Sequence, residues 1–319
     1  VISLLSFIWS LINAARRRLF AVGLLRSVRL PVPVVSVGNL QAGGSGKTPI
    51  VVALAREALS MGRVPIVLMR GYRGEWSRTG GLIVPGVGDA DPALCGDEAA
   101  LIHDQVPGAW VGVGADRLAS FERAMQTAIR EGRPSPDWVV LDDGHQHLRI
   151  ARDLEVVAVT DATRGEIPFR DWRGARSGPN IPCHEIRTKS AARDGALPRL
   201  QLRLVPPAVS EAEEKLWAVS GIGSPRDFES SLIDAGWRVV RRTDFPDHAR
   251  YAPEWVAACL EEATRAGLRI ALTGKDWVKW RALGVKPGAV RVFEPEPVFE
   301  PGDFARRILE SSLNGAVHG

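Results

Sequence analysis

The run Gly43-Gly44-Ser45-Gly46-Lys47-Thr48 places three glycines, two hydroxyls and a lysine on six consecutive positions. Glycines let successive backbone N–H groups converge on phosphate oxygens, and a helix starting there adds its positive end. A lysine at the position of Lys47 reaches the β and γ phosphates of ATP, and a hydroxyl at the position of Thr48 binds Mg2+. The chemistry expected is phosphoryl transfer. The usual G-x-x-x-x-G-K-[ST] pattern is missed by one position, because its first glycine is Gln41. Such a loop needs a further carboxylate for the metal at the end of a hydrophobic strand, and Val139-Val140-Leu141-Asp142-Asp143 supplies two. His145 and His147 stand at H-x-H spacing, but no third ligand cluster accompanies them, so a zinc centre is not expected.

The elements that must position these groups are legible as alternating short β-branched runs and helical patterns. Strands are expected at Val32–Val37, Val64–Met69, Trp110–Val113, Trp138–Leu141 and Leu154–Val159, with helices at Pro49–Met61 and Asp116–Glu131. The strand runs are apolar on consecutive positions, as a sheet covered by helices on both faces requires. The fold expected is α/β: a doubly wound, mostly parallel sheet carrying the phosphate loop. From Asp161 to Pro207 the periodicity fails and a long functional loop with a linker is expected. A second, smaller α/β unit follows, with strands at Leu216–Val219, Trp237–Val240 and Arg269–Thr273 and helices from Pro225 and over Pro253–Ala266. The expected division is 1–30, an amphipathic membrane-associated segment; 31–205, the nucleotide-binding domain; and 206–319, the smaller C-terminal domain.

The 319 residues carry 41 basic and 37 acidic side chains, a net charge of +4 that suits an anionic lipid or phosphate partner, and no nucleic-acid module is present. The three cysteines form no CxxC pair, which fits a reducing compartment. Val1 to Ile12 is almost entirely apolar and is followed by Arg16-Arg17-Arg18. A 12-residue helix is about 18 Å long against roughly 30 Å of hydrocarbon, so it is not expected to span a membrane; it is expected to lie on a membrane surface, or else to dock on the protein's own core. No basic stretch precedes it and no small-residue cleavage site follows, so it does not read as a signal peptide.

Taken in order, the motifs resemble those of the lipid A 4'-kinases (tetraacyldisaccharide 4'-kinases). Ser36-Val37-Gly38-Asn39-Leu40 leading into Gly43-Gly44-Ser45-Gly46-Lys47-Thr48-Pro49 is similar to that family's phosphate loop, which also lacks the leading glycine. Arg70-Gly71-Tyr72, Gly96-Asp97-Glu98, Asp116-Arg117 and Leu141-Asp142-Asp143-Gly144 with Gln146-His147 resemble further motifs, the family having Phe at the place of His145. So do Ser220-Gly221-Ile222-Gly223, Phe245-Pro246-Asp247-His248 and Leu272-Thr273 with Lys275-Asp276 in the second half. The resemblance implies transfer of the ATP γ-phosphate to the 4'-hydroxyl of a tetraacylated disaccharide 1-phosphate at the cytoplasmic face of the bacterial inner membrane, using Mg2+; a monomer is expected. It implies that Lys47 and Thr48 hold phosphates and metal, and that Asp142, Asp143 and Glu98 serve the metal site. It further implies that Asp97 with His248 activates the sugar hydroxyl, and that Arg70, Arg117 and His147 surround phosphates or acceptor.

One stretch departs from the family: Arg164-Gly165-Glu166-Ile167-Pro168-Phe169-Arg170-Asp171-Trp172-Arg173-Gly174 stands where a Leu-Pro-Ala-Gly-Pro-Leu-Arg-Glu segment is usual. Two other readings share the phosphate loop: a nucleotide-driven switch or metal-insertion GTPase, and a non-catalytic descendant of the kinase. Guanine selection commonly needs Asn-Lys-x-Asp, whereas in Thr273-Gly274-Lys275-Asp276 the lysine and aspartate are adjacent.

Overall fold

Every residue of the first strand, β1 (Val34–Asn39), is buried, as are those of β2 (Pro65–Met69), β4 (Trp110–Val113) and β5 (Trp138–Asp142). Their side chains alternate between two packing clusters. Val35, Val67 and Val140 face one side with the helices α2 (Lys47–Ser60), α5 (Asp97–Gln105) and α10 (Phe304–Val317). Val34, Ile66, Leu68, Val139 and Leu141 face the other side with α6 (Arg117–Glu131). Period-two alternation between two apolar faces is how a sheet buried on both sides reads. The computed structural model describes residues 2–39, 46–160, 181–188, 197–211 and 213–317.

With β3 (Gly81–Ile83), β6 (Leu154–Val159), β7 (Cys183–Thr188), β8 (Arg199–Arg203) and β13 (Glu296–Glu300), these strands make a nine-stranded sheet ordered β13-β8-β7-β6-β1-β5-β2-β4-β3. All its pairings are parallel except those of β13 with β8 and β3 with β4 at the two margins. Because β1, β2, β4 and β5 are parallel, Asn39, Arg70, Gly114 and Asp142 all emerge at one edge, where open α/β sheets bind ligands. A four-stranded parallel sheet, β10 (Arg238–Asp244), β9 (Lys215–Ser220), β11 (Arg269–Thr273) and β12 (Arg291–Phe293) in that order, forms the second unit. Trp217, Val219, Ile270 and Leu272 pack on α8 (Pro253–Ala266) and α9 (Gly274–Ala282), while Leu216, Ala218 and Ala271 pack on α7 (Pro225–Asp234).

Three expectations are corrected. The 161–207 stretch is not wholly loop, since β7 and β8 extend the large sheet; their charged residues break the uniformly apolar pattern by which the central strands are read. Segments 296–300 and 304–317, expected in the unit 206–319, instead return to the large sheet: β13 pairs with β8, and Phe304, Ile308 and Leu309 join the core beside α2. The N-terminal helix α1 (Ile2–Ala21) has 20 residues, running on through Ala14-Ala15-Arg16-Arg17-Arg18, all good helix formers. Among the described residues no helix is long and apolar enough to cross a membrane.

Candidate active site

Lys47 opens α2, with Gly46 before it at φ 75°, a left-handed conformation that suits glycine. Its ammonium donates to Asn39 Oδ1 at the end of β1 (2.9 Å) and lies 3.9 Å from Asp143 Oδ1. Thr48 follows it on the first turn, while Gly43, Gly44 and Ser45 lie outside the described residues. Register pairs Val37 of β1 with Asp142 of β5, so the lysine and the two acids are brought together by adjacent strands.

Asp142 is buried and its Oδ1 has no hydrogen-bond partner. Burial, then the Glu98 and Asp143 carboxylates, push its carboxyl up to about 7, against the opposing pull of Lys47 and Arg117. Two neighbours share this condition. Arg117, at the start of α6, donates to the Asp142 carbonyl oxygen (3.2 Å) and to His147 Nδ1 (3.3 Å), yet its Nε is buried and unpaired. His147 Nε2 is likewise buried without a partner, and burial, then Arg117 and Arg152, push this imidazole down to about 3. It is therefore neutral, and with Arg117 donating to Nδ1 its proton stands on Nε2. A carboxylate oxygen and two N–H groups left unpaired in one patch are what a site needs if it is to bind both a cation and phosphate oxygens. Among the described residues no three His, Cys, Asp or Glu side chains converge as a metal cage. Arg70, at the end of β2, is exposed and reaches Arg117 only through charge repulsion. His145 is not at the surface of the site: it is buried 3.5 Å from Glu155, which also pairs with Arg152.

The second half of the chain supplies the rest. His248 Nδ1 lies 2.9 and 3.1 Å from the two carboxylate oxygens of Asp97, across 151 residues of sequence. Asp97 opens α5, whose positive end favours a carboxylate. Gly96 before it has φ 89°, and a Cβ there would stand 2.9 Å from the Tyr72 carbonyl oxygen, so the approach of the 71–74 loop needs glycine. The His248 backbone N–H donates to Gly221 O (3.3 Å) and its carbonyl accepts from Arg73 Nη1 (3.0 Å). Glu98 links the two clusters, since it follows Asp97 on α5 and its charge acts on Asp142.

Among the described residues, the non-glycine residues with left-handed backbone are Arg73, Asp143 and His248, and all three border this site. Such conformations cost roughly 1–3 kcal/mol each and persist where surrounding structure enforces them. Sequence reasoning placed neither Asn39 nor Lys275 in the site. For Lys275 the available signal was its place in the motif Leu272-Thr273 with Lys275-Asp276.

The family model for tetraacyldisaccharide-1-P 4'-kinase (LpxK) matches residues 1–168 and 180–312. The tetraacyldisaccharide 4'-kinase of Chromobacterium violaceum is 34% identical over 299 residues, covering 85% of this chain and 81% of that protein. That of Aromatoleum aromaticum is 37% identical over 332 residues, covering 98% and 93%. Among solved structures, LpxK from Aquifex aeolicus, crystallised in complex with ATP, superposes with a TM-score of 0.72 at 24% identity over 97% of each chain, so the fold is shared.

Proposed function

The chain belongs to the tetraacyldisaccharide-1-P 4'-kinase family, and from that premise we propose how its residues divide the work of moving the γ-phosphate of ATP to the 4'-hydroxyl of a tetraacyldisaccharide 1-phosphate. It is a kinase of lipid A biosynthesis that uses ATP and Mg2+. The hydroxyl oxygen bonds to the γ-phosphorus, the bond to the oxygen bridging the β and γ phosphates breaks, ADP leaves, and the hydroxyl proton passes to the protein. Lys47 tracks the charge of the transferring group, with the Arg117 Nε–H and His147 Nε2–H donors beside it and Arg70 at the open rim. Thr48 with one or two of the carboxylates Asp142, Asp143 and Glu98 would hold Mg2+, and the ion would supply neutralisation of the phosphate charge.

Nδ1 of His248 is engaged by Asp97, and Nε2 faces Lys275 Nζ at 3.3 Å. The Asp97 carboxylate, oriented by the ring N–H, is then the group with lone pairs left for the hydroxyl proton. The observation that carries this reading is the Asp97–His248 contact between the two units. Its test is a labelled-ATP transfer assay on the disaccharide with Asp97→Ala, His248→Ala and the double variant. Each single change should lower kcat about a hundredfold or more with ATP binding retained, and the double variant should be scarcely worse, because residues acting as one unit are non-additive. Additive losses would separate the two residues.

The exposed Ile8, Leu11, Ile12 and Leu19 of α1, then Val22, Leu24 and Leu25 with Arg26, support a peripheral seat on an anionic bilayer at the cytoplasmic face of the inner membrane. The switch GTPase and the non-catalytic descendant gain no support from family membership or from the retained acids, Lys47 and His248.

A further inference from the structure

We propose that Lys275 is a positioning residue for phosphoryl transfer, holding His248 in the ring form whose proton faces Asp97; the inference rests on the Asp97–His248 reading above. Lys275 occupies the first turn of α9, against the preference of the helix dipole, and its side chain is only 16% exposed. What offsets that position is a set of contacts, two of them reaching across to the other unit. Its Nζ lies 3.2 Å from Asp247 Oδ1, 3.3 Å from His248 Nε2, 3.7 Å from Glu98 Oε1 and 3.9 Å from Asp97 Oδ2.

An ammonium has three donors and no acceptor, so its approach to Nε2 uses that nitrogen's lone pair. The ring proton then stands on Nδ1, the nitrogen 2.9 and 3.1 Å from the Asp97 oxygens. Asp247 Oδ2 lies 3.8 Å from Nε2 on the same side. Without the ammonium, the Nε2 lone pair faces that carboxylate with no donor between them, and the repulsion favours turning the ring so that Nδ1 no longer lies against Asp97. The clamp on Asp97 would fail without any change of backbone.

The lysine is well placed to do this because its neighbour anchors the helix. Asp276 is fully buried and accepts from the Thr273 hydroxyl (2.7 Å), the Tyr251 hydroxyl (2.8 Å) and the Gly221 N–H (3.1 Å). Gly221 in turn accepts from the His248 backbone N–H. The first turn of α9 and the loop carrying His248 are thus fixed to one carboxylate, which sets the distance between Nζ and Nε2.

The test is to read which ring nitrogen of His248 carries the proton, by nitrogen-15 NMR of histidine-labelled protein with His248→Gln to assign the signal. Wild type and Lys275→Arg should show the proton on Nδ1, and Lys275→Met should show it shared between the two nitrogens as the ring turns. Lys275→Met should also lower kcat about tenfold or more with the KM for ATP within about twofold, whereas Lys275→Arg recovers most of the rate. A wild-type ring protonated on Nε2 would overturn the proposal, and that measurement stands even if Lys275→Met fails to fold. So would unchanged kcat in Lys275→Met, or a raised KM for ATP at unchanged kcat, which would make the lysine a nucleotide contact. Asp97→Asn run in parallel separates the two layers: full activity there defeats the dyad reading itself, while an inactive Asp97→Asn beside a fully active Lys275→Met defeats only the role of Lys275.

Discussion

Asp143 shows how a single side chain divides its duty between fold and chemistry. It holds a left-handed φ of 50° and its charge raises the pKa of Asp142, two features that disfavour the folded chain. Asp143→Gly should therefore be at least as stable as the wild type in denaturant titration while losing most of its Mg2+-dependent turnover; clear destabilisation would mean that the carboxylate serves the fold instead. His147 gives a pH dependence with a definite sign. Its folded-state value of about 3 lies below the ordinary 6.5, so the unfolded chain takes up a proton in that window and the folded chain does not. Stability from this group is complete above 6.5 and is lost as pH falls toward 3. Melting temperatures of wild type and His147→Gln should diverge on acidification, the wild type falling faster, and parallel curves would rule out a buried neutral imidazole. At this scale the sequence was informative where a residue type has few other uses. Lys47, Asp142 and the Asp97–His248 pair could be named from motifs, whereas the role of Asn39 depends on a distance that no spacing encodes.

At the scale of elements, the long β-branched strands were legible because burial on both faces leaves them uniformly apolar. The strands β7 and β8 were not, since Glu185, Arg187, Arg199, Gln201 and Arg203 interrupt them near the margin of the sheet. The helix α1 was read from its apolar half alone. In the structure its two halves differ: Ile8, Leu11 and Ile12 are exposed, whereas Asn13 is buried and Arg17 is near enough to Glu155 for their charges to interact. Removing residues 2–12 should then weaken binding to anionic vesicles and raise the apparent KM for the lipid, with ATP affinity unchanged. Unfolding of the truncated protein would show that the apolar half packs on the core, and unchanged vesicle binding would reject the membrane role.

At the scale of the molecule, the two sheets are not arranged as beads on a string. The chain leaves the large sheet after β8, builds the small unit from 215 to 293, and comes back to pair β13 with β8 and lay α10 beside α2. Trp138 at the centre of the large sheet even donates its indole N–H to Ser312 of α10 (3.0 Å). A sequence reading has no access to such a return, because β13 and α10 look like any strand and helix that follow a domain. Residues 1–205 expressed alone should accordingly lack the cooperative melting of the full chain and bind ATP poorly, while co-expression with 206–319 should restore both; a stable, ATP-binding 1–205 fragment would contradict this. The same return bears on synthesis. On the ribosome the nucleotide-binding core must wait, with the edge of β8 unpaired and the apolar flank of α2 uncovered, until residues 296–317 have been made. Domains that can finish early are protected early. This one finishes last, so its newborn chain should depend on chaperones for most of its translation, and a ribosome stalled before residue 296 should carry a protease-sensitive product even though the whole phosphate-binding motif has long emerged.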